Sequence, residues 1–394
     1  MKQKRNLYRK NTPVEEALEK FYEAFSFTLQ NDIISVKKSL GCILSEPVFS
    51  KVFSPNIDSC AMDGIAVISE KTKFASESNH VTLIEGIDYK QVNTGNPLIK
   101  PFDAVIMAED IIEDENKVVI KKPVLPFQHV RPIGEDLKEG ELIASANQKI
   151  RAFDIGAMLT GGVSKVVVKK QPLVAIIPTG SELVDVDATI KTGQVVESNS
   201  YMLEALVKEN NGIANKYEKV KDDYETIKST IKDAAKNHDL VLVCAGTSAG
   251  TEDYSLNVIK ELGHVIIHGL SIKPGKPVIL GVIENTPIIG VPGYPVSAYT
   301  TFESVITPVL EKMSDTKIIK KTVKATLERR IVSSFKHKEH IRVKLSEKNG
   351  KLIATPLSKQ VGSAMSIVRS DGLLVIPLLT EGIEEGEEVE IILY

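Results

Sequence analysis

Two lysines stand three residues apart in the segment SIKPGKPVIL, residues 271–280, on either side of a Pro-Gly step. Lys273 and Lys276 follow one apolar run and precede another, so the turn that carries them joins two predicted strands. An ammonium group binds phosphate and other oxyanions as a point charge. Taken alone, however, a lysine pair on a turn is more often solvated, and that interpretation is the simpler one.

Acidic side chains occupy similar positions at other predicted strand ends. Glu182 lies in TGSEL, Asp222 in the pair Asp222-Asp223, and Asp253 in TEDY. For the pair Asp222-Asp223 the simpler interpretation is that the carboxylates cap the helix that follows. The alternative there is a Mg²⁺ site, because Mg²⁺ is commonly held by one or two carboxylates together with substrate phosphates.

Small-residue turns follow several of the same predicted strands. Turns that lead into a helix offer backbone N–H groups to an anion, although glycine turns after strands are also common for structural reasons. None of these turns is a P-loop, because the G-K-[ST] ending is absent. The residues concerned are Thr179, Gly180, Gly246, Ser248, Gly250, Pro292, Gly293 and Pro295.

The elements that position these residues alternate between strand and helix from residue 171 to about 315. Buried-type strands such as PLVAIIP and LVLVC are each followed by a helical pattern, which predicts a parallel, doubly wound αβα sheet. Ligands bind such sheets at the carboxyl ends of the strands. Five strand exits with lysines, acids or glycine turns therefore favour a phosphate-bearing ligand and a divalent metal at that edge.

The rest of the chain is predicted to be β-rich. Short strand patterns and Gly/Pro turns dominate before residue 170, with a helix near residues 154–162. After residue 315, the pair Asn349-Gly350 predicts a hairpin within a small barrel or sandwich. Thr12-Pro13 predicts the start of an N-terminal helix, with Thr12 as its cap. Its apolar face would contain Val14, Ala17, Leu18, Phe21 and Phe25.

Composition excludes several classes of function. The 394 residues carry a formal net charge of -3, which argues against general nucleic-acid binding. No apolar run approaches the roughly 18 residues of a membrane span, and no apolar stretch follows the basic start as in a secretory signal. Three widely spaced cysteines favour a reducing, cytoplasmic setting over a disulfide framework or a zinc site.

The order of these motifs resembles the molybdopterin molybdenumtransferase family (MoeA and the gephyrin E domain). In the second half of the chain the resemblance rests on TGSEL, SNSYML, AGTSAGTEDY, SIKPGKPVILG and GVPGYPVSA. In the first half it rests on SPNIDSCAMDGIAV, NTGNPLIKPFDAVIMAED and VRPIGEDLKEGELI, and in the tail on GSAMSIVRSDGLLVIP. The motifs are collinear with the family pattern over nearly the whole chain.

This resemblance implies an α/β multidomain protein. Residues 1–50 plus 141–170 would form a discontinuous N-terminal domain with a helical segment, and residues 51–140 a β-rich inserted domain. Residues 171–315 would form the αβα doubly wound molybdopterin-binding domain, and residues 316–394 a small C-terminal β-barrel. The family also implies an elongated homodimer, in which each cleft combines the αβα domain of one subunit with the inserted domain of the other.

The implied reaction inserts molybdate into adenylylated molybdopterin, with release of AMP and assistance from Mg²⁺. Asp222 and Glu182 would be the Mg²⁺ ligands, with the ion between them and the phosphates. The family's catalytic positions match Asp63 in AMDG, Glu182, Asp253, Lys273 and Lys276. Thr94 in NTGNP and Arg131 in VRPIGED match further cleft positions. The implied partners are small molecules, and the upstream adenylyltransferase and apo-molybdoenzymes are further candidates.

Two alternatives stay open at the level of sequence. A molybdopterin adenylyltransferase shares the αβα domain, but that function leaves AMDG and NTGNP without a role. A non-catalytic molybdopterin-binding or scaffold protein is the other. Three departures from the family pattern concern the pocket, namely AGTSAG, Ser181 and the bulky Tyr294. Cys60 precedes AMDG without an evident histidine partner, which favours a small buried residue over a catalytic thiol.

Overall fold

A computed structural model describes residues 11–28, 30–114, 116–245 and 254–394. The chain divides into two compact units. One comprises Met1–Gln30 with Lys170–Tyr394, and the other comprises Asn31–Lys169. This division separates the chain at 30/31 and 169/170 only, so the four predicted domain boundaries stay a prediction. In the described part of the chain, no helix is both long enough and apolar enough to cross a membrane.

The N-terminal helix α1 (Val14–Glu23) packs in the first unit. Its residues Val14, Ala17 and Phe21 share a hydrophobic core with Leu270 and Phe302. The predicted cap is wrong. Pro13 is the N-cap and no side chain caps the helix. Thr12 instead pairs as an extended residue with Leu270, and its N–H donates to the Gly269 carbonyl at 3.1 Å.

In the part that the structure describes, the second unit consists of short strands and one α-helix, α2 (Ala152–Thr160). Two three-stranded antiparallel sheets, ordered β6-β4-β7 and β5-β9-β8, enclose one apolar core. Two-stranded pairs β1–β12, β11–β2 and β10–β3 complete the unit among its described residues. The strands are β1 (Asn31–Ser35), β2 (Val48–Phe49), β3 (Ser59–Cys60), β4 (Gly64–Val67), β5 (Val81–Ile84), β6 (Tyr89–Val92), β7 (Ala104–Met107), β8 (Ile111–Asp114), β9 (Lys117–Ile120), β10 (Val130–Arg131), β11 (Leu142–Ala144) and β12 (Lys165–Lys169).

The centre of the first unit is a six-stranded sheet ordered β16-β13-β17-β21-β20-β18. The pair β14–β15 lies beside it, and β19 belongs to the barrel sheet described below. The strands are β13 (Leu173–Pro178), β14 (Leu183–Val184), β15 (Val195–Val196), β16 (Ile213–Lys216), β17 (Leu240–Cys244), β18 (His264–His268), β19 (Ile272–Lys273), β20 (Ile279–Ile283) and β21 (Thr286–Val291). The helices are α3 (Asn199–Glu209), α4 (Tyr224–Asn237), α5 (Tyr254–Leu262), α6 (Pro295–Thr301) and α7 (Thr307–Ser314), with a π turn between the last two.

The sheet is not wholly parallel. Strands β16, β13, β17 and β21 run parallel, as predicted, but β20 pairs antiparallel with both β21 and β18. The reason is the connection, because only residues 284–285 separate β20 from β21. A two-residue hairpin can join only antiparallel strands, whereas a parallel crossover needs a dozen or more residues.

The C-terminal region is a closed barrel. Its strands pair in the cyclic order β24-β25-β22-β28-β26, with β26 returning to β24, and β19 is added at the edge of β24. The predicted hairpin is confirmed, since Asn349 and Gly350 both have positive φ between β24 and β25. The elements are β22 (Thr322–Leu327), β23 (Ile331–Val332), β24 (Lys338–Lys348), β25 (Lys351–Pro356), α8 (Met365–Val368), β26 (Gly372–Ile376), β27 (Gly382–Ile383) and β28 (Glu388–Leu393).

The burial of Phe21 gives a test of where α1 packs. Phe21 is fully buried, so Phe21→Ala removes a ring from the core and should lower the free energy of unfolding by about 3 kcal/mol. Denaturant unfolding followed by circular dichroism measures this change. Glu19→Ala, on the exposed side of the same helix, is the control and should leave the midpoint within experimental error. Equal midpoints for the two variants would contradict the packing of α1.

Candidate functional site

The predicted site residues of the first unit lie in loops at one edge of the central sheet. Strands β13, β17, β21 and β18 all end at that edge, because β18 and β21 both run opposite to β20. The lysine loop, residues 269–278, leaves β18 and enters β20 at the same edge. The topology therefore brings Thr179, Glu182, Lys273, Lys276 and Gly293 to one side of the sheet, as the sequence predicts.

Thr179 and Gly180 begin the loop that follows β13, and hydrogen bonds hold this loop in place. The buried Thr179 hydroxyl donates to the Cys244 carbonyl at 2.8 Å, which ties the end of β13 to the end of β17. Gly180 has φ +147, and a Cβ added there would lie 2.8 Å from the Glu182 carboxylate oxygens. Only glycine lets the Glu182 carboxylate approach the backbone so closely. The loop thus holds a carboxylate directly against the end of the strand.

The paired acids have separate roles. The Asp223 carboxylate accepts from the Thr226 N–H at 2.9 Å and caps α4, so the capping interpretation holds for this residue. Hydrogen bonds from the Thr226 hydroxyl and N–H lower the pKa of Asp223. The Asp222 carboxylate instead accepts from the Ser181 N–H at 2.7 Å, and the Asp222 N–H donates to the Ser181 hydroxyl at 3.0 Å. Asp222 therefore links the loop after β16 to the loop after β13.

These two exits place hard oxygen donors on adjacent loops. Asp222 commits one carboxylate oxygen to Ser181 and keeps the other, and Glu182 lies one residue beyond Ser181. Within the described ranges, no group of three or more His, Cys, Asp or Glu side chains is arranged to hold a metal ion. A Mg²⁺ ion needs no such protein cage when substrate phosphates complete its shell. The donor set therefore fits a Mg²⁺ ion shared with a phosphate ligand.

The lysine turn is anchored to the barrel. Residues Ile272 and Lys273 form β19, which pairs in parallel with the start of β24 so that Lys273 faces Glu339. The Lys273 Nζ lies 3.4 Å from a Glu339 carboxylate oxygen, and its side chain is 55% exposed. Gly275 has φ +104, and an added Cβ would come within 3.3 Å of the Thr301 hydroxyl. The turn is therefore a fixed part of the edge and does not have the character of a loose surface loop.

His337 joins this cluster, and sequence reasoning missed it. The residue immediately precedes β24, and its Nδ1 lies 2.9 Å from the Ser334 hydroxyl. Burial, followed by the positive charges of Lys276 and Lys273, lowers the pKa of the His337 imidazole. Glu339 acts in the opposite direction and Lys336 in the same direction. No local sequence signal could reveal this residue, because only the β19–β24 pairing brings it to the lysines.

The turn around Gly293 follows the end of β21. The Asn199 amide donates to the Gly293 carbonyl at 2.7 Å, so the SNSYML and GVPGYP motifs are in direct contact. Helix α6 begins at Pro295, and Pro suits the first helical position because it needs no N–H partner there. Tyr294 is 61% exposed, and its ring lies 3.6 Å from where a Cβ on Gly362 would be.

In the second unit, the structure brings Asp63 and Thr94 together. One Asp63 oxygen accepts from the Thr94 N–H at 2.6 Å and from its hydroxyl at 2.9 Å. These two bonds lower the pKa of Asp63, so the carboxylate stays ionised.

The other two residues of interest in the second unit are Arg131 and Cys60. The Arg131 Nε donates to the Glu135 carboxylate at 2.7 Å, which partly neutralises the charge of Arg131. Cys60 is fully buried, as predicted.

Four predicted site residues lie outside the described residues. They are Gly246, Ser248, Gly250 and Asp253. Their assignments stay predictions. Pro292, between β21 and the Gly293 turn, is buried and lines the end of the strand.

Comparison with known families covers most of the chain. Residues 12–162 match the MoeA N-terminal region (domain I and II), residues 175–312 match a probable molybdopterin binding domain, and residues 324–394 match the MoeA C-terminal region (domain IV). These three segments follow one another in the order that defines a class of multidomain molybdenum cofactor biosynthesis proteins.

Individual relatives agree over their full lengths. A Methanocaldococcus jannaschii protein named for molybdopterin biosynthesis is 34% identical over 377 residues, covering 91% of both chains. A molybdopterin molybdenumtransferase of Staphylococcus aureus is 27% identical and covers 97% of this chain and 95% of its own. The crystal structure of a molybdopterin biosynthesis MoeA protein from Pyrococcus horikoshii superposes with a TM-score of 0.78, at 31% identity over 98% of this chain and 99% of that one. The chain belongs to the molybdopterin molybdenumtransferase (MoeA) family, a family of transferases in molybdenum cofactor biosynthesis.

The lysine–histidine cluster gives a direct test of the site geometry. Lys276→Met removes a positive charge that lowers the pKa of the His337 imidazole, so this variant should raise the His337 pKa. The pKa is read from an NMR titration of the labelled imidazole. Lys344→Met removes a barrel lysine that pairs with Asp371, and this control should leave the His337 pKa unchanged. An unchanged pKa in the Lys276 variant would show that Lys276 is not near the ring.

Proposed function

We propose that this protein inserts molybdenum from molybdate into adenylylated molybdopterin and releases AMP. The observation that supports this function most directly is the presence of cations and carboxylates on separate loops at one sheet edge. Lys273 and Lys276 form the cationic part, with the His337 imidazole beside them, and Glu182 and Asp222 form the acidic part. Such a division suits a ligand whose phosphates need both ammonium groups and a divalent cation.

The lysines are proposed to bind the substrate anions. Molybdate is a dianion, and the pyrophosphate link of the adenylylated pterin carries further negative charge. Fixed cations that face the charge developing on the oxygens stabilise the transition state of phosphate transfer more than the ground state. An oxygen nucleophile, water or a molybdate oxygen, attacks one phosphorus of the pyrophosphate link, and the P–O bond that breaks releases AMP. The two dithiolene S–H groups bind molybdenum as one molybdate oxygen leaves as water with their two protons.

The carboxylates Glu182 and Asp222 would hold Mg²⁺, for which their oxygen donors are suitable. The ion, when bound, supplies positive charge that offsets the charge of the phosphate oxygens. Asp253 is proposed to orient the pterin or to add to this acidic group. Thr179, Gly180, Gly246, Ser248, Gly250, Pro292, Gly293 and Pro295 are proposed to shape the wall and to offer backbone groups to the ligand.

We further propose a homodimer with composite sites. Asp63, Thr94 and Arg131 belong to the second unit, so their catalytic role depends on placement against a first unit. The family resemblance assigns that first unit to the other subunit. The four predicted domains, a cytoplasmic location, and contact with the upstream adenylyltransferase and apo-molybdoenzymes belong to the same proposal.

Lys276→Ala tests the proposed reaction. Loss of one fixed cation from the site should lower the rate of AMP release by about 100-fold or more. The assay combines purified protein, adenylylated molybdopterin, molybdate and Mg²⁺, and measures both AMP and pterin-bound molybdenum. Lys344→Ala is the matched control and should retain full activity.

Three further outcomes separate this function from the alternatives. Formation of adenylylated product from ATP and molybdopterin by the unaltered protein would favour an adenylyltransferase. Binding of the adenylylated pterin without AMP release would favour a non-catalytic binding protein. Full activity of the Lys276 variant would overturn the proposed role of the lysine turn.

Mixing two inactive variants tests the composite site. Asp63→Ala and Lys276→Ala alter different units, so a mixed dimer with sites shared between subunits would contain one intact site. Random exchange should restore about a quarter of the unaltered activity. The measurement is AMP release after the two proteins are mixed and allowed to exchange. A mixture as inactive as its components, with exchange shown by mass spectrometry, would place each site within one chain.

A further inference from the structure

A buried carboxylate lies directly behind the lysine turn. Glu339 is on β24, and its side chain is only 1% exposed. One oxygen accepts from the Ser334 N–H at 3.1 Å and lies 3.4 Å from the Lys273 Nζ. The other lies 2.7 Å from the Lys359 Nζ. A small pocket of about 40 Å³ lies beside this group and includes Lys273, Glu339 and Lys359 in its lining.

The two lysine contacts are unequal. The Lys359 contact has the length of a charge-assisted hydrogen bond, whereas the Lys273 contact is longer than a normal one. The Lys359 Nζ also donates to the Val332 carbonyl at 2.8 Å, which fixes it in place. Lys273 has no equally short contact with Glu339. Lys359 is therefore the main counter-ion of Glu339.

Glu339 is ionised despite its burial. Burial opposes ionisation, but the hydrogen bonds from Lys359 and the Ser334 N–H, with the charges of Lys359 and Lys273, outweigh it and lower the pKa of Glu339. A buried carboxylate that lost its main counter-ion would attract the nearest other cation strongly. The nearest other cation is Lys273, one of the two lysines proposed to bind the substrate.

We propose that Glu339 and Lys359 form a positioning pair that keeps Lys273 available for the anionic substrate. Lys359 neutralises the buried carboxylate, so Lys273 retains its charge and its half-exposed position at the sheet edge. This inference rests on the proposed function, because it names the substrate oxyanion as the group that Lys273 meets. Lys359 directs two of its three N–H donors to Glu339 and the Val332 carbonyl, so its role in this arrangement is to neutralise the carboxylate.

A three-variant comparison tests the pair. Lys359→Met leaves Glu339 without its counter-ion, so Lys273 should close on it and molybdate affinity should fall by about tenfold. Glu339→Gln should not weaken binding, because no carboxylate then competes for Lys273. The double variant, Glu339→Gln with Lys359→Met, should restore affinity to within about threefold of the unaltered protein. Isothermal titration with molybdate at fixed ionic strength measures each affinity.

A second readout needs no ligand. The acetylation rate of Lys273, followed by mass spectrometry, should fall in Lys359→Met and recover in the double variant. Lys344→Met, which breaks a different barrel ion pair, is the control and should change neither readout. Thermal unfolding verifies that each variant is folded. If the single Lys359 variant does not fold, the double variant still tests whether Lys359 is needed for binding.

The outcomes are distinguishable. A double variant as weak as Lys359→Met would show that Lys359 itself binds the anion, and this would overturn the proposal. Unchanged affinity and unchanged acetylation in Lys359→Met would also overturn it. Failure of the unaltered protein to bind molybdate would count against the proposed function, whereas the acetylation rates would still decide whether the pair controls Lys273.

Discussion

The parallel pairing of β19 with β24 is the interaction on which the candidate site depends. The Lys338 N–H donates to the Ser271 carbonyl at 2.8 Å, and the Ser271 N–H donates to the Thr12 carbonyl, also at 2.8 Å. The start of the lysine loop is therefore held on one side by the barrel and on the other by Thr12, two residues before α1. A loop bonded on both sides loses little further entropy when an anion binds, so its cations are preorganised.

The reversed strand β20 matters for the same reason. Because β20 runs opposite to β18 and β21, the loop between β18 and β20 turns back at the edge where β13, β17 and β21 end. A parallel β20 would require a crossover to the opposite edge before the strand began. The lysine segment would then be part of a long connection and would lose its character as a tight turn. The two-residue hairpin at 284–285, remote from the site, thus determines where Lys273 and Lys276 lie.

Local periodicity predicted most of the helices and strands, but it could not predict the contacts between the residues of the site. The αβ alternation, the hairpin at Asn349-Gly350 and the strand-end location of Glu182 and Asp222 follow from patterns of a few residues. The reversal of β20 also has a local cause, the two-residue connection at 284–285. The neighbourhood of His337 does not follow from local patterns, because it depends on strand pairing between segments about 65 residues apart. The division of roles between Asp222 and Asp223 likewise depends on a hydrogen bond to Ser181, 41 residues away.

An acid so near a proposed anion site needs a physical reason, because its charge opposes binding. Glu339 accepts from the Ser334 N–H, and Ser334 in turn contacts His337 through both its hydroxyl and its carbonyl, each at 2.9 Å. The carboxylate therefore orders the turn that presents His337, in addition to fixing Lys359. Its desolvation cost is offset by Lys359 and the Ser334 N–H, with a further contribution from the charge of Lys273. The barrel thus helps to position His337 at the sheet edge through Glu339. Lys359 neutralises the Glu339 carboxylate, so that its negative charge does not repel the ligand.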